Sequence, residues 1–318
     1  MSMASSLRVL LVAKPWRGGL GAYVHAALCE LVGADRVSMV ATRPQTLPEA
    51  LARRRNRRAW DAALIARIER QTYDVALFIQ PPPCVAQLGN AHKHIHWVVD
   101  DVAPHGLFLP SMGHVFIADP GYLPEAQALI PPAQFAGVLP FAMLPSQHHP
   151  GIAAAKQQTM CFIGNRDPKR SQWLASLFAH AMDVHIYGNY FLRDPLWRAH
   201  PLRFHPSVSR TAMQQVYARH RLSLNLHAGV VRGGTNMRSF EAAGYGIAQL
   251  VEHRPGIDAL FDTRREITCF TTAEEAKAGY DRLLGDPAHA QTLAKNAAAR
   301  VLAEHTYAHR VRTMLARV

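Results

Sequence analysis

Short apolar runs alternate with longer amphipathic segments along the first half of the chain. The runs have the length of buried strands, and the segments between them place apolar residues at helical spacing. The strands are predicted over 8–13, 37–41, 74–80, 94–99 and 114–118, and the helices over 22–31 and 47–71. Alternation of this kind is typical of a parallel sheet with helices on both faces.

The same pattern restarts after a proline-rich segment, 139–158, that lacks periodicity. Beyond it, strands are predicted over 159–164, 183–187, 222–226, 247–251 and 267–270, and helices over 169–180, 210–220, 236–243, 272–284 and after Asp286-Pro287. We therefore expect an α/β protein with two Rossmann-like, doubly wound domains that face each other across a cleft. Their predicted bounds are 1–145 and 146–298.

Composition places the chain among folded proteins that lack a membrane span. Of its 318 residues 49% are hydrophobic and 18% charged, and no apolar run reaches 18 residues. The first apolar stretch continues into Lys14-Pro15-Trp16, which favours a strand over a signal peptide. The four cysteines are scattered without a CxxC pair, which fits free thiols in a reducing compartment. We expect a cytoplasmic location.

The net charge of +12 attracts anions in general, including nucleotides, acidic lipid headgroups and nucleic acid. The densest basic block is 53–58, with five arginines in six positions. A solvated helix face is the favoured interpretation of this block. A patch for peripheral contact with an anionic membrane or nucleic acid is the alternative, although no aromatic residues are interleaved as in nucleic-acid motifs.

Ligands of doubly wound sheets bind at the carboxyl ends of the strands, so residues that follow strands are the candidates for chemistry. Gly18, Gly19 and Gly21 follow the first strand, where glycines let backbone N–H groups approach an anion. A tight turn is the alternative. The spacing matches neither the dinucleotide fingerprint nor the P-loop.

Asp100, Asp101 and His105 follow a predicted buried strand and are the catalytic candidates in the first half. A carboxylate there could take the proton of an acceptor hydroxyl as general base, or could cap the next turn. Adjacent side chains on a strand alternate in direction, so at most one acid should face the cleft. Three alternating histidines (His92, His94 and His96) could bind a metal, but an ordinary strand is favoured.

In the second half, polar residues again follow strands, and the binding candidates are Gly164, Asn165, Arg166, Gly188, Asn225, Gly234, Thr235, Asn236, Arg238 and Glu241. Cations and exposed N–H groups of a helix N-terminus suit a diphosphate. A buried acid near such a helix start can hydrogen-bond a ribose diol. These residues could therefore hold both ends of a nucleoside diphosphate.

Several segments resemble the CgeB-like branch of the group 1 glycosyltransferases: 236–252, Phe162-Ile163-Gly164, Ile186-Tyr187-Gly188, 305–310, 97–101 and Leu139-Pro140-Phe141. The resemblance is best over 159–315 and weaker over 1–150. It implies a GT-B fold in which the C-terminal domain holds the donor nucleotide, with Glu241 on the ribose and Arg238 and the 233–236 turn on the diphosphate. It also implies that a C-terminal helix, 299–318, returns to the first domain.

One position departs from this pattern. Retaining relatives often carry a second glutamate eight positions before the ribose acid, and here that position is Gly233. The sugar and the retaining mechanism are therefore left open. An inverting attack with Asp100 or Asp101 as base, or an inactive site, are the alternatives.

The sequence thus predicts a metal-independent glycosyltransferase, without a cofactor, that moves a hexose or a pentose from a nucleotide-diphosphate donor to a hydroxyl-bearing acceptor. The acceptor class is open among glycans, proteins, lipid-linked molecules and nucleic acid. Two other functions remain as alternatives. One is a nucleotide-sugar epimerase, and the other is a non-catalytic GT-B-like protein that binds nucleic acid or an anionic membrane.

Overall fold

The computed structural model of the chain describes residues 7–15, 19–89, 91–106, 108–151, 156–190 and 194–318. The chain divides into two compact units. The first contains Met1–Pro140 and Tyr307–Val318, and the second contains Phe141–Thr306. No helix in the described ranges is long and apolar enough to span a membrane.

The first unit is built on a parallel six-stranded sheet in the order β2-β1-β3-β4-β5-β6. Its strands are β1 (Val9–Ala13), β2 (Val37–Ala41), β3 (Val75–Ile79), β4 (His94–Val98), β5 (His114–Ile117) and β6 (Phe135–Val138). Its helices are α1 (Leu20–Val32), α2 (Leu47–Arg55), α3 (Arg57–Glu69), α4 (Leu123–Leu129) and α11 (Tyr307–Leu315). Strand order reverses between β1 and β3, so residues that follow these two strands flank a topological switch point.

The core of the first unit is formed by strands that are buried on both faces. Every residue of β1, β3 and β4 is buried, as expected for a parallel sheet covered by helices. His94 and His96 belong to this core, where the His96 ring stacks on Phe78 at 4.6 Å between centroids. Burial lowers the pKa of His94 to about 4 and that of His96 well below its ordinary value. Both are core side chains, as the strand interpretation predicts.

The prediction of a single helix over 47–71 is wrong, because the helix is interrupted at Asn56. Its backbone is extended there, with φ −145° and ψ 93°, and its side-chain oxygen accepts a hydrogen bond from Ala59 N at 3.0 Å. Asparagine competes with helical hydrogen bonds in this way and is a favoured N-cap. Two helices, α2 and α3, therefore replace one.

The C-terminal segment packs within the first unit. Tyr307 stacks on Tyr23 of α1 with ring centroids 5.4 Å apart, and Arg310 Nε donates to Pro140 O at 2.7 Å. Burial lowers the pKa of Arg310 to about 10. The returning segment begins at Tyr307, whereas the sequence analysis placed its start at residue 299.

The second unit repeats the architecture with the order β12-β11-β10-β7-β8-β9. Its strands are β7 (Gln157–Ile163), β8 (Val184–Tyr187), β9 (Phe204–His205), β10 (His220–Asn225), β11 (Ala248–Glu252) and β12 (Thr268–Phe270). Its helices are α5 (Pro168–Ala179), α6 (Pro195–Ala199), α7 (Arg210–Arg219), α8 (Met237–Gly244), α9 (Ala273–Gly285) and α10 (Pro287–Glu304). This is the Rossmann strand order, with its switch point between β7 and β10.

Candidate functional site

Backbone at the carboxyl ends of β7 and β8 comes unusually close. Gly164 N donates to Tyr187 O at 3.0 Å, and Gly188 N donates to His205 O at 3.3 Å. A Cβ at Gly188 would overlap the Gly164 carbonyl oxygen. Only glycine fits there, so these two predicted site residues keep the strand ends close and free of side chains.

The start of α8 is fixed to the end of β10 by a chain of buried polar contacts. Asn236 is the N-cap, and its Oδ1 accepts from Arg238 N at 3.0 Å. Its Nδ2 donates to Asn225 Oδ1 at 2.9 Å, and Asn225 Nδ2 donates to Ser239 Oγ at 2.8 Å. Thr235 Oγ1 lies 2.7 Å from Ser239 Oγ. Asn225 and Thr235 thus orient the helix N-terminus at the switch point.

Arg238, on the first turn of α8, forms a close ion pair with Glu241, three residues further along the helix. Arg238 Nε also donates to Ile163 O at 3.2 Å, which ties the guanidinium to the end of β7. The Glu241 side chain is buried, whereas that of Arg238 is 31% exposed. The carboxylate is therefore shielded from solvent, and Arg238 is the more exposed member of the pair.

A third member of this group is His148, which the sequence analysis placed in the proline-rich segment. Its Nδ1 accepts from Leu144 N at 2.9 Å, so the ring proton of the neutral form sits on Nε2. Nε2 lies 3.6 Å from Glu241 Oε1. Burial lowers the pKa of His148 to about 4, against the opposing effect of Glu241. At neutral pH it is a neutral neighbour of the ion pair.

Glu252, at the end of β11, is a second buried carboxylate that joins several strand ends. Its Oε1 lies 2.9 Å from Lys169 Nζ and 2.6 Å from Arg254 NH2, and its Oε2 accepts from His227 N at 2.8 Å. His227 Nε2 in turn lies 3.0 Å from Thr235 Oγ1. This carboxylate offsets two cations and supports the turn that precedes α8.

The other arginines at the carboxyl edge of the second sheet form ion pairs or hydrogen bonds within the protein. Arg166 forms an ion pair with the buried Asp194, and its N donates to Asn189 Oδ1 at 2.9 Å. Arg170 donates to Leu226 O at 3.1 Å and to Asn165 O at 3.2 Å, so it links the ends of β7 and β10. Burial lowers the pKa of Arg170. Of the predicted cations, Arg238 is the one that lies at the α8 N-terminus.

The glycine turn of the first unit is described in part. Gly18 lies outside the described residues. Gly19 is the N-cap of α1, and its carbonyl accepts from Ala22 N at 3.0 Å. A Cβ at Gly21 would lie 2.6 Å from Lys14 O, so this glycine lets α1 pack against the end of β1. Both glycines belong to the first unit, and the other binding candidates belong to the second.

The catalytic candidates of the first unit lie around Gln80, which sequence reasoning missed. Gln80 Oε1 accepts from Val99 N at 2.8 Å and from Asp100 N at 3.2 Å, so its Nε2 donates to His105 Nε2 at 2.8 Å. Gln80 has φ +48°, a strained conformation for this residue type. Such strain is common at functional sites, but no sequence signal marks it.

The two adjacent acids differ in role. Asp101 Oδ1 accepts from Ala103 N at 3.0 Å and so caps the following turn, which was the structural alternative. Asp100 is exposed. His105 is buried, and burial lowers its pKa although Asp100 and Asp101 oppose the shift. His105 is therefore neutral at pH 7 and accepts at Nε2.

Metal binding finds no support in the described ranges, where no three His, Cys, Asp or Glu side chains converge as ligands would. His92, unlike His94 and His96, is exposed.

Comparisons with known proteins agree with this architecture. Residues 168–316 match the family model described as glycosyl transferase-like. The fold is similar to that of sucrose-phosphate synthase from Thermosynechococcus elongatus, with a TM-score of 0.67, 13% identity and 96% of each chain covered. It is also similar to Anabaena HepE, with a TM-score of 0.67, 11% identity, and 98% of this chain and 100% of that chain covered.

A glycosyltransferase from Rickettsia africae has a TM-score of 0.65 at 10% identity, with 97% of this chain and 96% of that chain covered. No curated protein matches the sequence. The CgeB-like assignment stays a prediction, but the predicted fold class is confirmed. The chain has the GT-B fold of glycosyltransferases, and its residues 168–316 are similar to the glycosyl transferase-like family.

Proposed function

We propose that the protein is a glycosyltransferase that transfers a hexose from a nucleotide-diphosphate donor, without a metal or another cofactor. The observation that carries the proposal is Arg238, placed on the first turn of α8 at the switch point of the second sheet. A cation at a helix N-terminus attracts a diphosphate. In support, structures of the similarly folded HepE are described as complexes with UDP and with UDP-glucose.

In this proposal the second unit stabilises the leaving diphosphate. Arg238 and the N–H groups at the start of α8 would offset the charge that develops as the glycosidic bond to the diphosphate breaks. Glu241 orients Arg238 in the unliganded arrangement. When the guanidinium turns to the diphosphate, the carboxylate is released to accept hydrogen bonds from the ribose hydroxyls. Diphosphate binding by Arg238 and ribose binding by Glu241 therefore both require this ion pair to open.

Asp100 is the proposed general base. It is exposed, whereas Asp101 caps a turn and His105 Nε2 already accepts from Gln80. A base that takes the acceptor proton fits an inverting attack, and Gly233 at the position of the second glutamate supports the same assignment. Asp100→Asn is expected to abolish transfer while nucleotide binding persists.

A thermal-shift panel of UDP, GDP, dTDP and CDP tests the proposal first. A nucleotide that binds the folded state stabilises it by RT ln(1 + [L]/Kd), so at equal concentration the nucleotide that binds most tightly gives the largest rise in melting temperature. We expect Arg238→Ala and Glu241→Ala to lose most of this shift, since each removes part of a charged, hydrogen-bonded site. The matched control is Arg282→Ala, an exposed arginine on α9.

Turnover is then followed as nucleotide release from the corresponding nucleotide sugar. Equal release by wild type, Arg238→Ala and Glu241→Ala would remove the site assignment. Nucleotide binding without release under any acceptor would favour a non-catalytic binding protein, and donor conversion without an acceptor would favour an epimerase.

A further inference from the structure

A cavity of about 310 Å³ lies at the carboxyl edge of the first sheet. It contains Lys14 after β1, Arg43 after β2, Gln80 after β3 and Asp100 after β4, so it lies at the switch point between β1 and β3. Its size is at the lower end of small-molecule sites. The edge of the first unit thus carries a cavity large enough for a small ligand.

Positive charge dominates this cavity. Arg53 of α2 and Arg57 of α3 join Lys14 and Arg43 in its wall, against the two carboxylates Asp61 and Asp100. Arg57 Nε pairs with Asp61 at 3.6 Å. In the part of the chain that the structure describes, neither Arg43 nor Arg53 has a carboxylate within ion-pair distance. Two guanidinium groups thus line the cavity without acidic partners.

The charges in the cavity act on one another. Burial lowers the pKa of Arg53, the neighbouring cations Arg43 and Arg57 lower it further, and Asp61 opposes the shift. Like charges in proximity raise the free energy of the unliganded protein, and an anion between them would relieve this repulsion. The arrangement is therefore complementary to a negative group.

The basic block 53–58 contributes two of its five arginines, Arg53 and Arg57, to the cavity wall. Arg53 is half-buried, whereas Arg57 is exposed and pairs with Asp61. Arg55 and Arg58, on the same two helices, are exposed and do not line the cavity. The half-buried Trp60 and the prolines that follow Gln80 add a rigid, largely apolar wall to the cavity.

We propose that this cavity binds the phosphate or carboxylate group of a small, hydroxyl-bearing acceptor and presents the hydroxyl to Asp100. The inference rests on the proposed glycosyltransferase function. In the step itself, the acceptor oxygen forms a bond to the anomeric carbon as the bond from that carbon to the diphosphate breaks. The hydroxyl proton passes to Asp100, and the departing nucleoside diphosphate keeps the bonding electron pair.

Isothermal titration of the whole protein with glucose 6-phosphate, glucuronate and glucose tests the inference, with UDP at saturation. The two anionic probes distinguish phosphate from carboxylate, and glucose lacks the charge. We expect at least one anionic probe to bind in a salt-sensitive manner and glucose not to bind. In Arg43→Gln/Arg53→Gln the affinity for that probe should fall about tenfold or more, the loss of ~1.4 kcal/mol of binding free energy.

The matched control is Arg55→Gln/Arg58→Gln, which removes the same charge from outside the cavity and should leave the affinity unchanged. Failure of both anions to bind, equal binding of glucose, or an equal loss in both double variants would overturn the inference. A single-stranded DNA oligonucleotide whose affinity falls equally in both would instead mark the whole face as a nucleic-acid surface.

The two proposals fail separately. If UDP does not bind, the proposed function falls, and the same titrations in the Arg238→Ala background, without nucleotide, still test the cavity. If UDP binds to wild type and to Arg43→Gln/Arg53→Gln alike but no anionic probe does, the donor site stands and the acceptor inference falls.

Discussion

The two sheets have nearly the same architecture, but the charges at their carboxyl edges are arranged in opposite ways. At the second edge, Glu241 and Glu252 are buried and each is in contact with cations at short range. At the first edge, Arg43 and Arg53 line an open cavity in which cations outnumber carboxylates. The ion pairs of the second edge balance its charges within the protein, whereas the first edge carries an excess of positive charge. The difference indicates that a ligand at the second edge has to exchange partners with an existing ion pair, and that an anion at the first edge does not.

The largest expected effect is on stability, and it distinguishes the two edges. Glu252→Ala leaves Lys169, Arg254 and His227 around a buried position without their carboxylate, so the free energy of unfolding should fall by about 3–5 kcal/mol. Arg43→Gln/Arg53→Gln should cause no loss, because it relieves repulsion. Urea denaturation of both variants measures the two values.

Glu304→Ala is the control for the loss of a glutamate, because Glu304 is exposed and pairs with Arg300 on the same helix. It should have no measurable effect. If Glu252→Ala is no more destabilising than the arginine double variant, the second edge is not held by its charge network and the comparison fails.

The next effect is a pH dependence that arises at the paired edge. Burial lowers the pKa of His148 to about 4, and Arg210, Arg238 and His149 oppose its protonation while Glu241 favours it. Below pH 6.5 the unfolded chain binds a proton that the folded protein does not, so stability falls as pH decreases toward 4. One such group contributes about 1.4 kcal/mol per pH unit in this window.

The slope is isolated by comparison with His148→Asn, which can still accept from Leu144 N but does not titrate. Chemical denaturation of both proteins between pH 7 and pH 5 should show a shallower loss in the variant. His94 and His220, whose pKa values are also lowered to about 4, titrate in both proteins and cancel in the difference. Equal slopes would show that His148 is protonated in the folded state.

An element of the fold could be predicted where a local sequence pattern specifies it, and was missed where no such pattern exists. Buried strands of parallel sheets are continuous apolar runs, and the runs ending at Ala13, Ile79 and Ile163 were recognised from that pattern alone. The edge strands β6 and β9 were missed, because they are short and lie at the sheet edge, where little of their surface is buried. The prediction of one long helix over 47–71 was wrong because the N-cap at Asn56 was not recognised.

The residues of the candidate site likewise include some that a sequence pattern indicates and others that it does not. Residues at or just after the ends of strands, such as Arg166 and Asn225, were predicted as candidates because strand ends converge in parallel sheets, and their role in binding stays a prediction. His148 and Gln80 could not be found, since their contacts come from chain segments far apart in sequence and from a backbone conformation that no motif encodes. For Arg53, the basic composition of the block was visible in the sequence, but the placement of its side chain in the cavity depends on the helix interruption at Asn56.

Substitution of the glycines that follow strands should have a smaller effect on the free energy of unfolding. Gly188→Ala should lower the free energy of unfolding by about 1–3 kcal/mol, because its Cβ would meet the Gly164 carbonyl and strand ends must separate. Gly21→Ala at the first edge should cost less, because the gain in helix propensity partly offsets contacts with Lys14 O. Thermal unfolding measures both.

Gly285→Ala is the matched control, because no atom lies within 4 Å of the added Cβ at the end of α9. It should be neutral or slightly stabilising. A loss in Gly285→Ala equal to that in Gly188→Ala would show that loss of backbone freedom, not the close approach of β7 and β8, limits the second edge.

The smallest expected effect on stability comes from the helix interruption at Asn56, between α2 and α3. Asn56→Ala removes the N-cap of α3 and should cost about 1 kcal/mol of stability. It should also weaken binding of the anionic probe, because without the cap the two helices tend to merge and Arg53 and Arg57 no longer converge on the cavity. Asn56→Ser keeps a capping oxygen and should preserve both properties. If Asn56→Ala lowers stability but leaves probe affinity intact, the cap stabilises α3 without setting the positions of Arg53 and Arg57 in the cavity.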